Sequence, residues 1–145
     1  SIQDLTVEDK LLSYQIEDFD NFNQDLEYVL NWYSDDFKGS LSSSNLVSIQ
    51  KNKSNKYIII NHKIKVTPEH MLLIKNNDSI EWFPAKDITI GHFLLTEKET
   101  FEPVSIIEIK NESVDVYNLK LEGIMNYFVE DYLVHSSSKC DECQK

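Results

Sequence analysis

The sequence contains no arginine. Its 14 basic residues are therefore all lysines, set against 25 acidic ones, for a net charge of −11. That balance excludes a general nucleic-acid binder, which must neutralise phosphates. It leaves room for a local basic strip at Lys51, Lys53 and Lys56. Alanine occurs once, at Ala85, and there are 3 Gly and 3 Pro. The strongest helix former is thus nearly missing, and Asn, Asp and Ser must make most turns. No apolar run approaches the roughly 18 residues of a membrane span. Neither an initiator Met nor a signal peptide opens the chain. A segment cut from a longer polypeptide is expected, soluble and of undetermined compartment. The two cysteines, Cys140 and Cys143, sit together near the C-terminus, so no disulfide framework holds the fold. There is no Gly-rich phosphate loop.

What remains is rich in strand material. There are 15 Ile, 7 Phe and 7 Tyr, and 41% of the residues are hydrophobic, enough to build a core. Strand-like runs are predicted at 10–16, 45–51, 56–60, 63–66, 70–75, 79–83, 88–95, 104–110, 114–121 and 127–135. Turn signals separate them at Asn61-His62, Asn76-Asn77-Asp78, Asn111-Glu112-Ser113 and Glu130-Asp131. One short helix is expected within 25–37. The fold class is all-β.

An internal repeat sharpens this. The ten residues from Asp4 to Ser13 match those from Asp87 to Thr96, 83 positions later, with four identities. Val47-Ser48-Ile49 answers Val104-Ser105-Ile106, and Tyr57 answers Tyr117. Two related β-subdomains about a pseudo-two-fold axis are expected. The first copy carries an excess of 26 residues, falling at about 17–45. This acidic insertion is expected to be a solvated loop or hairpin; a partner-recognition loop is the sharper reading.

Two motifs carry chemistry. Thr67-Pro68-Glu69-His70 stands between two predicted strands; alone it is equally a turn with Pro68 setting φ. The second runs from Val116-Tyr117-Asn118-Leu119 through Gly123 to Asn126-Tyr127-Phe128-Val129 and Leu133-Val134-His135. Together with the duplicated Asp-Leu-x-Val element, these resemble, in order and spacing, the signatures of the Hint family of hedgehog-autoprocessing and intein domains. The resemblance covers about residues 1 to 136, leaving 137–145 as a tail or the start of another segment.

That resemblance implies a horseshoe of two pseudo-two-fold-related β-subdomains and a single-turnover self-processing reaction. A Cys or Ser at the start of the domain attacks the carbonyl before it, turning an amide into a thioester or ester. By the same resemblance Thr67 and His70 hold and protonate the scissile amide, and His135 is the penultimate histidine that assists cyclisation of a terminal Asn. The departures are informative. Ile2-Gln3-Asp4-Leu5 belongs well inside such a domain, so the first strand and the nucleophile are expected upstream of Ser1, and the fragment alone should be inactive. Ser136 stands where the cyclising Asn would be and has no carboxamide. Asn118 replaces a common Asp, and Met125 a common His. Full splicing is therefore not expected, whereas an N-terminal acyl shift with cleavage or transfer is.

The expected partner is the covalently attached flanking polypeptide of the host protein. No nucleic acid, membrane, cofactor or metal is expected, and the chain should be a monomer. Cys140 and Cys143 supply only half a zinc site. His62 and His92 are read as turn and structural residues, and Trp32 and Trp82 as core or rim. Two alternatives stay open: a degenerate Hint fold serving as a structural module in a larger, phage-derived protein, and an unrelated acidic β-rich protein-binding module.

Overall fold

The computed structural model describes residues 9–136. Strand β1 (Lys10–Ile16) is followed by helix α1 (Leu26–Asn31), β2 (Tyr33–Ser34) and the long β3 (Gly39–Ser54). Then come β4 (Tyr57–Ile60), β5 (Ile64–Val66), β6 (Met71–Asn76) and β7 (Ser79–Pro84). A 3-10 turn (Ala85–Asp87) leads to β8 (Phe93–Leu95), β9 (Phe101–Pro103), β10 (Ile107–Lys110), β11 (Val114–Glu122), β12 (Asn126–Val129) and β13 (Tyr132–His135). The fold is all-β.

Its symmetry is written in the pairings. β8 starts 83 residues after β1, at the repeat offset. β1 pairs antiparallel with the first half of β3, and β8 with β9. Each half then lends a strand to the other: β4 pairs with β10, while β11 pairs with the second half of β3. Such reciprocal exchange is what two related halves around a common axis produce. Between them β13 lies beside β6, with Val134 opposite Leu72. Met71, Leu72, Leu73 and Ile74 of β6 and Tyr132, Leu133 and Val134 of β13 are apolar and buried, as both faces of the strands are covered there. Leu72, Ile74, Tyr132 and Val134 enter one core cluster; Met71, Leu73 and Leu133 enter the other.

With so little glycine, the turns do use other residues. Asn61, His62, Asn77, Glu130 and Asp131 all adopt positive φ. Consecutive positive φ at 61–62 and at 130–131 suits tight hairpins. The single strand expected over 127–135 is accordingly two strands, β12 and β13, folded back at Glu130-Asp131. Asn61 does more: its Oδ1 accepts from Ser105 N at 2.7 Å and Ile106 N at 3.3 Å. Those bonds divert the chain between β9 and β10, so the strand expected over 104–110 shortens to β10. The strand expected over 88–95 shrinks to β8, because Thr89 N donates to His92 Nδ1 (3.1 Å) and Gly91 takes φ +107. The helix expected within 25–37 covers six residues, capped by Asp25 accepting from Glu27 N.

The largest correction concerns 17–45. Residues 39–45 are not loop; they pair residue for residue with β1, from Gly39 opposite Ile16 to Asn45 opposite Lys10. The excursion narrows to 17–38, and its inner side is core: Phe19 and Val29 are buried in one core cluster, and Trp32 and Phe37 pack against that cluster. A Cβ built on Gly39 would lie 2.6 Å from the Gln15 carbonyl oxygen and 2.5 Å from the Tyr14 ring. Backbone cannot yield as a side-chain tip can. Gly39→Ala is therefore expected to cost about 1–3 kcal/mol, read as a lowered urea midpoint.

Asn126 stitches the halves. Its buried amide accepts from Tyr14 N at 2.8 Å and donates to Tyr14 O at 2.9 Å, so a side chain completes the ladder beside β1. Asn126→Ala leaves both backbone groups unpaired and is expected to cost about 3 kcal/mol; equilibrium unfolding checks it. No helix among the described residues is long and apolar enough to cross a membrane.

Candidate functional site

The Thr67–His70 segment is a closed turn between β5 and β6. His70 N donates to Thr67 O at 3.1 Å. The 3-10 turn pins it from the far side: Ala85 N donates to His70 O and Lys86 N to Pro68 O, both at 2.9 Å. His70 thus stands at the mouth of a core strand on a backbone fixed at both ends. Its side chain keeps some surface toward a cleft, while Nε2 is buried without a hydrogen-bond partner among the described residues. Burial pushes its imidazole down to about 4. An orphaned buried ring nitrogen is costly and asks for a reason.

The cleft encloses about 110 Å³. Thr67 and His70 line it together with Asn118, on β11. Tyr57, Lys65 and Tyr127 are among the other residues that line it. Lys65 Nζ lies 4.8 Å from the centre of the Tyr57 ring, a cation over an aromatic face. Three residues singled out in the sequence therefore share one cavity, though 51 positions separate Thr67 from Asn118.

His135 and Ser136 are placed differently. His135 is only 2% exposed and is not part of the cleft lining. Neither ring nitrogen has a partner among the described residues. Desolvation, and then the like charge of His70, push its imidazole down to about 3. Ser136 Oγ donates to Leu119 O at 2.7 Å, and Ser136 N to Met125 O at 2.7 Å. The serine is thus tied to the residue that follows Asn118. Cys140 and Cys143 lie outside the described residues. His62 is exposed at a turn, 3.2 Å from Glu108. His92 is occupied by Thr89 N and by the Phe83 ring, 4.9 Å away. Lys51 and Lys53 of the basic strip both pair with Asp115, at 3.5 and 2.8 Å.

Sequence reading missed Tyr57, Lys65 and Tyr127 as cleft walls, and Trp82 and Phe19 as neighbours of His135. Tyr57 and Tyr127 lie within or beside the quoted motifs, so their aromatic character was visible. The pairing that faces them to one cavity was not.

This is the fold of inteins and intein-like domains. The solution structure of a bacterial intein-like domain from Clostridium thermocellum matches with a TM-score of 0.64 and 18% identity, over 92% of this chain and 86% of that one. The crystal structure of the TvoVMA intein gives 0.60 and 25%, over 69% and 66%. A DnaB intein from Synechocystis gives 0.52 and 20%, over 68% and 71%. By sequence, a reverse gyrase of Methanocaldococcus jannaschii is 26% identical over 95 residues. The match takes in 63% of this chain but spans only 5% of that protein's length. No family profile matches the chain.

Proposed function

We infer that the chain is an intein-like autoprocessing domain that acts once, on its own polypeptide. The observation that carries this reading is the common cleft of Thr67, His70 and Asn118 within an intein fold. In a domain of this kind the attacking Cys or Ser stands N-terminal to an element such as Ile2-Gln3-Asp4-Leu5. That residue's sulfur or oxygen adds to the carbonyl carbon of the residue before it. The C–N bond then breaks, the nitrogen leaves as a protonated amine, and a thioester or ester remains. Thiol, amine or water then adds to the acyl carbon, the C–S or C–O bond breaks, and the side-chain thiol or hydroxyl leaves with a proton.

Amide resonance opposes every part of this, so the site must twist the bond, supply a proton and stabilise an oxyanion. His70 takes the proton-transfer role, and the Thr67 hydroxyl orients the amide. Asn118 borders the same space as a polar contact. His135 belongs to the C-terminal half-reaction. Ser136 has no carboxamide to cyclise, which favours cleavage or transfer at the N-terminal junction over splicing. The partner is the host polypeptide attached in line; no nucleic acid, membrane, cofactor or metal enters the reaction, and the domain works as a monomer.

The test extends the chain upstream along its native sequence and incubates it with thiol or hydroxylamine. Mass spectrometry should find the upstream fragment as a thioester or hydroxamate. An extended chain that carries a Cys or Ser at the junction and stays intact would sink the proposal in favour of an inert structural module.

A further inference from the structure

The excursion at 17–38 reaches the His135 ring. It delivers the Phe19 ring into a nest of aromatic groups: Trp32 at 4.9 Å, Tyr28 at 5.4 Å and Trp82 at 6.1 Å between centroids. The same ring lies edge-on to the His135 imidazole, at 6.2 Å and 83°. Trp82, on β7, meets that imidazole at 5.0 Å and 75°. Two aromatic rings from distant parts of the chain thus contact one histidine that has no hydrogen-bond partner among the described residues.

The turn bearing Phe19 is held rigidly. Asn21 Oδ1 accepts from Ile16 N (2.9 Å), and its Nδ2 donates to Ile16 O (2.8 Å) and Phe19 O (3.1 Å). Trp32 Nε1 donates to Asp18 O at 2.8 Å, with Asp18 at φ +62. The backbone joins in: Met125 N donates to Asn21 O at 2.8 Å, and Met125 O accepts from Ser136 N. The excursion therefore touches the His135 ring and also the segment that fixes the residue after it.

We propose that residues 17–38 form a clamp on the C-terminal half of the site, with Phe19 as a positioning residue that sets the His135 ring against Trp82 and shuts water away from it. The proposal rests on reading His135 as a site residue of the autoprocessing domain. The titratable neighbour that reaches His135 is His70; Phe19, Trp82 and Asn126 around it carry no charge. Held this way, His135 is neutral at physiological pH and available only as a neutral donor or acceptor. Removing Phe19 admits water, which stabilises the charged imidazole.

The four histidines of the 145-residue chain can be followed individually by NMR after ring labelling. In the parent chain His135 should stay neutral until strongly acidic pH. Phe19→Ala should make its protonation at least tenfold easier, a midpoint raised by about one unit or more, while His62 and His92 keep theirs. Phe19→Leu, which restores apolar volume, should recover most of the parental midpoint. A folded Phe19→Ala chain with an unmoved His135 midpoint overturns the proposal, as does a common shift of all four histidines. Should the alanine variant not fold, Phe19→Leu must still move the His135 midpoint upward by a smaller amount, and an unmoved one is equally fatal. Titration does not require cleavage, so a shifted His135 in a chain that never processes would sink the autoprocessing reading alone.

Discussion

His70→Ala in a chain that carries its upstream flank is expected to slow cleavage at the junction by about 10² to 10⁴-fold, the range for loss of a positioned proton-transfer group. The argument starts from the leaving group. An amide nitrogen expelled as an anion is a very poor leaving group, so the C–N bond breaks only as a proton arrives. In the cleft His70 is the imidazole beside Thr67, and its buried Nε2 is uncommitted. With its imidazole held down to about 4, it is neutral at pH 7. An oxyanion forming nearby would favour the charged ring, so basicity rises as the reaction needs it. Two controls separate chemistry from folding. His92→Ala removes a structural imidazole outside the cleft lining and should leave the cleavage rate within a few-fold of the parent. Thermal unfolding of His70→Ala should remain cooperative, because the turn is held by backbone bonds from Ala85 and Lys86 that the substitution does not touch. Hydroxylamine-induced cleavage followed by mass spectrometry gives the rates. Equal rates for parent and His70→Ala would remove His70 from the reaction.

How far the sequence revealed this depends on where the information lies. β1 was legible to the residue because apolar Leu11, Tyr14 and Ile16, all buried, recur among polar positions over a short run. β6 and β7 were legible because apolar runs end in Asn, Asp and Pro. The first half of β3 was not. Its serine-rich stretch reads as loop, yet Ser42 lies opposite Ser13 and Ser44 opposite Leu11. Ser44 is buried, its hydroxyl donating to Ile124 O at 2.6 Å. Polar residues satisfied by the facing backbone carry no hydrophobic signature. At the site, Thr67, His70 and Asn118 were legible as motif positions, and the strand exchange brings them to one cleft. Phe19 was hidden for a different reason: acidic neighbours made its segment look solvated, and its contact with His135 spans 116 positions of chain.

Acidification is expected to weaken the fold steadily between about pH 6 and pH 4.5. Two imidazoles are held below the ordinary value of 6.5, His70 at about 4 and His135 at about 3, each chiefly by burial. In the unfolded chain both regain ordinary values. Between about pH 6 and pH 4.5 the unfolded state therefore binds protons that the folded state refuses. Stability is fully present above the unfolded value and falls as pH falls, by about 1.4 kcal/mol per group per pH unit. Two groups over this interval remove on the order of 4 kcal/mol, a large share of a typical domain's total. The acidic surplus works the other way. At −11, mild protonation of surface carboxylates relieves repulsion and should stabilise the fold slightly. The sign of the measured slope thus discriminates between the buried histidines and the surface charge. Urea unfolding at a series of pH values should show stability dropping toward acid, with a slope approaching two protons. His135→Phe, which keeps an aromatic ring in the Phe19–Trp82 nest, should halve that slope and raise acid tolerance. A flat or inverted slope in the parent chain would mean that water reaches both imidazoles in the folded state, and the sealed C-terminal half would fall with it.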